Sequence, residues 1–200
     1  MKIHELYNKL AIDIIPSNEL KIEIVAQSSP NRQEVENFIA DSFQNHFNAK
    51  LNNFFPLILT IRRIKNNGLI AAVGIRCAKK EHLFSECYLD ESIEQTIVKL
   101  ESTLTSRGKI AELGNFVVKN RSDIKQVIPV LGQFIKTLNV DWVIYTLTRP
   151  IKAYFHKLGI ELNHIVDADI SKINGAAEDW GRYYNFKPAV YYSSVNANLN

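Results

Sequence analysis

Residues Val140–Thr148, VDWVIYTLT, form a nearly continuous apolar run of strand length. A strand with that pattern is buried on both faces, as in sheets that carry helices on both sides. The flanking segments supply such helices. Ile124, Val127, Ile128, Leu131, Phe134, Ile135 and Leu138 fall at helical spacing, with Asn120 or Ser122 as the cap, and PIKAYFHKLG reads as a short helix ending at Gly159. Strand patterns return at ELNHIV and AVYYSSV, which predicts that the tail completes the sheet.

Upstream, KIEIVAQ (Lys21–Gln27) alternates as a strand, and Pro30 with Asn31 opens a segment in which Val35, Phe38, Ile39, Phe43 and Phe47 lie three or four apart. FFPLILTIRRI and LIAAVGIRCA then form a hairpin, Phe54–Ala78, in which Asn67 and Gly68 of KNNG supply the backbone for a tight turn. In DESIEQTIVKLESTL, Ile93, Ile97, Leu100 and Leu104 share one helical stripe, with Asp90 as the N-cap. An early hairpin followed by strand–helix alternation predicts an α/β fold, a single-domain mixed sheet flanked by helices. With 46% hydrophobic residues, the 200-residue chain closes one core, and residues 1–200 read as one domain without repeats.

The charge balance, 24 basic against 21 acidic residues for a net +3, does not announce a nucleic-acid binder although it allows a local basic patch, and no nucleic-acid partner is expected. Two cysteines, Cys77 and Cys87, make neither a disulfide framework nor a zinc motif, so no metal site is expected. His4, Glu5, Asn8 and Lys9 interrupt the N-terminal apolar run, unlike a signal peptide, and no window reaches the ~18 apolar residues of a membrane span. The expected location is cytoplasmic, and release from the cell would need another route.

The stretch KIAELGNFVVKN, Lys109–Asn120, is the anomaly: a core strand with Glu112, Gly114 and Asn115 in its middle. One reading is structural, with Glu112 in a buried salt bridge, Gly114 marking a β-bulge and Asn115 satisfying backbone groups. The other is functional. After NFVV the chain runs through KNRSD into a helix, so Lys119, Arg121 and the amides of a helix start converge where a phosphate would fit.

A bulged strand leading into such a helix resembles the central element of the GNAT acyltransferase fold. The resemblance implies that Lys109–Val118 splays from Val140–Thr148, that the pantetheine arm of an acyl donor runs past Val117 and Val118, and that its pyrophosphate meets Lys119, Arg121 and Ser122. AYFHKLGI resembles the late GNAT helix, with Phe155 where many of those enzymes carry the tyrosine that protonates the leaving thiolate. Tyr154 is adjacent but turned about 100° away on a helix. The usual pyrophosphate loop, QxxGxG or RxxGxG, is missing. AELGNFVV is similar to the E-x-x-R-F/L-x-V strand of acyl-homoserine-lactone synthases and N-acyl amino acid synthases, with Asn115 in place of the arginine. Across Phe54–Tyr192, FFPLIL, AAVGIRCA, LFSECYLDESIE, AELGNFVV, YTLTRPIKAYFHKLGI and DWGRYY resemble, in order and spacing, the thermostable hemolysin family of marine bacteria. That family is named for lysis of red cells, and its sequence is GNAT-like.

The expected function is therefore an N-acyltransferase that moves an acyl group from CoA or acyl carrier protein to a small amine. A CoA or 4'-phosphopantetheine thioester would be the cosubstrate, with no tightly bound cofactor. The alternative is a non-enzymatic hemolysin acting on a membrane surface. The Phe54–Ala78 hairpin has few alternating polar positions, as core sheet does and a pore-forming hairpin does not. Glu112 is the candidate base or amine-orienting residue, and Glu86 is the second carboxylate, against its reading as a surface charge. Cys87 reads more readily as a small buried hydrophobe than as a covalent nucleophile. Asn115, Trp180, Tyr183 and Tyr184 are the candidate substrate pocket, the aromatic three reading equally as a membrane-facing set or a lid on the core.

Overall fold

The computed structural model describes residues 19–173 and 177–197, so the N-terminal run discussed above lies almost wholly outside the described residues. Within them the order is β1 (Leu20–Ala26), α1 (Arg32–Phe47), β2 (Leu57–Arg63), β3 (Leu69–Cys77), α2 (Ile93–Glu101), β4 (Ile110–Val118), α3 (Ile124–Thr137), β5 (Trp142–Leu147), α4 (Arg149–Lys157), β6 (Asn163–Asp167) and β7 (Ala189–Ser194). The strands make a mixed seven-stranded sheet in the order β1-β2-β3-β4-β5-β7-β6. This is the helix-bearing mixed α/β sheet that the sequence pattern predicts.

The chain divides into two compact units. One holds the described residues up to Phe43, Asn52–Ile75 and Gly114–Asn139. Here β1 pairs antiparallel with β2, and β2 with β3. Alternation buries Ile22 and Ile24 of β1, α1 contributes Val35 and Ile39, and α3 contributes Val127, Leu131 and Phe134. Each such side chain contributes about 1.5–3 kcal/mol when fully buried. Arg32, at the start of α1, is buried with them, and its guanidinium donates to the Phe55 carbonyl at 2.7 Å and the Val25 carbonyl at 3.3 Å. The hairpin turn is longer than a two-residue turn: Asn67 takes the left-handed conformation at φ 53°, and Arg63 N–H closes the loop on Gly68 O at 3.0 Å.

The other unit holds Gln44–Leu51, Arg76–Leu113 and the described residues from Val140 onward. Its core joins Tyr88, Ile93, Ile97, Ile110, Ile144, Val190 and Tyr192. The β4–β5 ladder is parallel and runs from Ile110↔Trp142 to Leu113↔Tyr145, while β5 continues antiparallel with β7 to Leu147↔Ala189. Helix α4 ends as expected: Gly159 sits at φ 77°, with its N–H on His156 O at 3.0 Å and Ile160 N–H on Phe155 O at 3.1 Å. That pair of bonds satisfies the last carbonyls in a Schellman motif.

Two helix starts differ from expectation. Ser92 rather than Asp90 holds the N-cap position of helix α2, without a side-chain cap hydrogen bond, and Asp90 pairs with Lys172 Nζ at 3.1 Å. The helix stops at Ser102, which turns left-handed at φ 54°, so Leu104 leaves the stripe and is 92% exposed, while Leu100, still helical, is 50% exposed. Helix α3 has Asp123 at its N-cap position, the last residue of a tight turn Arg121–Asp123, and neither Asn120 nor Ser122 caps it through a side chain. Among the described residues no helix is long and apolar enough to cross a membrane.

Candidate active site

Glu112 lies on β4 opposite Ile144, one residue before the last pair of the β4–β5 ladder, and is 1% exposed. An unpaired carboxylate at that depth would be very costly. It is met by two amides: Phe84 N–H donates to Oε2 and Ser85 N–H to Oε1, each at 2.7 Å. These belong to the tight helical turn Phe84–Tyr88, whose first amides have no partner within the turn. Burial raises the Glu112 carboxyl to about 7, against the pull of the Ser85 and Phe84 amides. The Ser85 side chain also favours the charged form, and the carboxylate keeps a further acceptor direction beyond these groups.

Glu86, in the same turn, is 5% exposed rather than a surface charge. Its Oε2 accepts from Leu83 N–H at 2.7 Å and its Oε1 from Ile93 N–H at 3.0 Å. Arg107 grips both oxygens, Nη1 to Oε1 at 2.6 Å and Nη2 to Oε2 at 3.0 Å, and His82 Nδ1 stands 3.0 Å from Oε2. Burial alone would raise this carboxyl, but the Arg107 hydrogen bonds with the Ile93 and Leu83 amides outweigh it and hold it at about 2. Both acceptor directions of each oxygen are in use, which suits Glu86 to hold the turn rather than to accept a proton.

Rings crowd the same turn. Tyr88 and Tyr184 share a hydroxyl–hydroxyl hydrogen bond of 2.5 Å. Trp180 lies 5.7 Å from Phe84, 5.4 Å from Tyr183 and 5.7 Å from Tyr184, centroid to centroid. The three predicted aromatics are thus together with Phe84 and Tyr88, on the turn that binds Glu112. Burial raises Tyr88 above its ordinary value and Tyr184 to about 12, so both hydroxyls keep their protons. Cys87 is held at about 11 by burial and then by the Glu112 charge, so its thiolate is scarce near neutrality. Tyr184 also borders a groove of about 740 Å³ whose charged lining is Arg149, Lys152, Lys187, Asp167 and Asp169. That volume is within the range of small-molecule sites.

The second half of β4 holds the other predicted residues. Asn115, not Gly114, carries the irregular backbone, at φ 47°, and its Oδ1 accepts from Phe55 N–H at 3.0 Å. Gly114 is required for a different reason. A Cβ there would stand 2.6 Å from Phe55 Cζ, so the ring occupies the space a side chain would need. Val117 is buried, Val118 half-buried, and Lys119, Arg121 and Ser122 are exposed. Asp123, at the start of α3, is buried and paired with Arg63 at 2.6 Å and Asn120 Nδ2 at 3.0 Å. Phe155 is buried against Tyr145, ring centroids 6.3 Å apart.

Sequence reasoning missed Arg107, which follows a polar loop and meets its carboxylate partner 21 residues back. It also missed Phe84 and Ser85, since backbone donors leave no trace in residue type, and Tyr88, whose hydroxyl partner Tyr184 lies 96 residues away. Among the described residues no cluster of His, Cys, Asp and Glu is placed to hold a metal.

Residues 25–199 match the model of a family described as thermostable hemolysin. No relative is found among curated proteins. The fold is similar to that of the AHL synthase LasI, with TM-score 0.58 and 10% identity over 92% of this chain and 93% of that one. It is similar to that of FeeM, an N-acyl amino acid synthase from uncultured soil microbes, with TM-score 0.55 and 12% identity over 90% and 94%. MesI, a CoA-dependent acyl-homoserine lactone synthase, is alike at TM-score 0.56 and 12% identity over 90% and 91%.

Proposed function

The chain belongs to the thermostable hemolysin family, and we propose that it is an N-acyltransferase that moves an acyl group from a CoA or acyl-carrier-protein thioester to a small amine. The observation that carries this reading is Glu112, a buried carboxyl raised to about 7 at the end of the β4–β5 ladder. The similar structures are named for making acyl-homoserine lactones and N-acyl amino acids, one of them CoA-dependent, and the proposal carries that chemistry over.

Attack on a thioester requires a neutral amine, and a base is most effective when its pKa lies near the working pH. Glu112 takes the amine proton on a free acceptor direction while the Phe84 and Ser85 amides hold the carboxylate still. The tetrahedral intermediate then expels the donor's sulfur. A thiol has a pKa of about 8.5, so the thiolate leaves without a strong acid, and Phe155 in place of tyrosine is tolerable. Glu86 acts by fixing the turn. Trp180, Tyr183 and Tyr184 line the pocket for acyl chain or amine, while Asn115 shapes β4. Val117 and Val118 flank the pantetheine arm, and Lys119, Arg121 and Ser122 meet its phosphates.

The test offers wild type and Glu112→Gln a panel of acyl-CoA and acyl-carrier-protein donors with amines, and follows free thiol. Wild type should release thiol with at least one pair, and Glu112→Gln should be slower by about 10²–10⁴, the usual contribution of a general base. Native mass spectrometry of the purified protein should show which donor or product travels with it. If wild type releases no thiol and folded Glu112→Gln lyses pure-lipid vesicles as well as wild type, direct membrane lysis replaces the enzyme.

A further inference from the structure

Arg107 uses every donor it has on one segment of chain. Its Nε donates to Ala78 O at 3.0 Å, and Nη1 donates to Glu86 Oε1 at 2.6 Å and Glu94 Oε2 at 2.7 Å. Nη2 donates to Glu81 O at 3.1 Å and Glu86 Oε2 at 3.0 Å. A guanidinium has five N–H donors, and all are engaged. Every partner falls within Ala78–Glu94, the segment that contains the Phe84–Tyr88 turn.

Arg107 also stands at the entry to β4, in a short turn, Arg107–Lys109, that leads into the strand carrying Glu112. One strand therefore grips one segment twice. At the strand entry Arg107 holds Glu86, and Glu86 in turn holds the amides of Leu83 and Ile93. Farther along, Glu112 holds the amides of Phe84 and Ser85. Three consecutive amides, Leu83, Phe84 and Ser85, are thus shared between two carboxylates, and Glu86 holds the residue immediately before the two amides that meet Glu112. Glu86 is nearly buried, so without Arg107 it would be a charge without its cation and would pull away.

We propose that Arg107 is the positioning residue of this site: by gripping Glu86 it keeps the Phe84–Tyr88 turn in the setting where two amides meet the Glu112 carboxylate. The inference rests on the acyltransferase reading, in which that carboxylate is the base. The other groups facing Glu112 are the Ser85 side chain and the Arg76 guanidinium, which both favour its charge, and the Cys87 thiol, which its charge keeps protonated. Around the clamp stand His82 beside Glu86, Glu94 on α2, and Glu81, which pairs with Arg76 at 3.4 Å. Lysine cannot replace Arg107, because an ammonium lacks the planar fork that holds both Glu86 oxygens.

The experiment compares wild type, Arg107→Ala and Arg107→Lys as full-length protein. It reads the Glu112 carboxyl by ¹³C NMR of glutamate-labelled protein, assigned by its loss in Glu112→Gln, and the pH dependence of kcat. Loosened amides stabilise the carboxylate less, so the Glu112 titration should move up by about one pH unit in Arg107→Ala and by less in Arg107→Lys. On the acid limb that lowers kcat about tenfold, with recovery toward high pH. A Glu112 titration that coincides with wild type in either folded variant, with activity lost equally at every pH, would make Arg107 merely structural and overturn the proposal. Failure of both variants to fold would do the same. The two readings are separable: if wild type releases no thiol the enzyme reading falls, whereas the NMR titration still decides whether Arg107 governs Glu112.

Discussion

Replacing Glu112 by glutamine should alter how stability depends on pH, by an amount the fold itself dictates. The carboxyl rises from 4.5 to about 7 on folding. A raised carboxyl binds its proton more tightly in the folded chain, so its contribution is fully present below pH 4.5 and is lost as pH climbs through 7. A shift of about 2.5 units at 1.36 kcal/mol per unit makes that loss about 3 kcal/mol. Glu112 is 1% exposed, so solvent screening takes little from it. Glutamine carries no such titration. Its amide oxygen accepts one of the two backbone amides, but its NH₂ faces the other, at a pH-independent cost of about 1–3 kcal/mol. Glu112→Gln should therefore be the less stable protein at pH 4.5 and draw level with wild type near pH 7. Urea unfolding at intervals between pH 4.5 and 8, followed by tryptophan fluorescence, measures this directly. Glu86 does not interfere, because its carboxyl is depressed to about 2 and its contribution is lost only as pH falls from 4.5 toward 2. Parallel stability curves for the two proteins across pH 4.5–8 would refute the raised carboxyl and, with it, the base.

Two further outcomes follow from the same geometry. Gly114→Ala forces a Cβ to within 2.6 Å of the Phe55 ring, and a Cβ added at Gly74 would likewise meet Phe55 Cβ at 2.8 Å, so the ring has little room to give way and overpacking should cost about 1–3 kcal/mol; in a Phe55→Ala background the change should become neutral or stabilise by about 0.5–1 kcal/mol, and equal costs in both backgrounds, measured by urea unfolding, would show that the ring is not the obstacle. Cys87, held at about 11, should alkylate with iodoacetamide at pH 8 about two hundredfold more slowly than a thiol of pKa about 8.5; ordinary reactivity by peptide mass spectrometry would return the covalent acyl-enzyme to consideration.

What was legible in the sequence was local. The strands and helices follow from periodic burial, and the end of α4 follows from one residue, Gly159, because a left-handed position favours glycine so strongly. Helix α2 defeated the same reasoning. Its leucine spacing continues past Ser102, a residue whose type does not announce φ 54°, so Leu104 looks periodic and lies in solvent. Within the candidate site Glu112 and the three aromatics stood out by being odd in their surroundings, whereas the groups that bind Glu112 are backbone amides 27 and 28 residues away. Arg107 was silent for a related reason: a charged residue in a polar loop looks solvated until its distant partner is known.

The strand KIAELGNFVVKN carries three residues that a strand built only for stability would avoid, and each departure has a different cause. Gly114 gives up a side chain, and about 0.5–1 kcal/mol of backbone entropy, to let Phe55 lie against the strand. Asn115 adopts φ 47°, where asparagine is among the better-tolerated residues, and its Oδ1 recovers part of the strain on the Phe55 amide. Both departures are thus answered within the same packing arrangement. Glu112 is not. Its two amide bonds offset only part of the burial, because its carboxyl still stands near 7 in the fold. An apolar residue in its place would carry no desolvation cost, and the Phe84–Tyr88 turn already has Glu86 and Arg107 to hold it. The unbalanced group in the strand is therefore the one with a proton to exchange near neutral pH, and a local rule broken without structural compensation is where a function is to be sought.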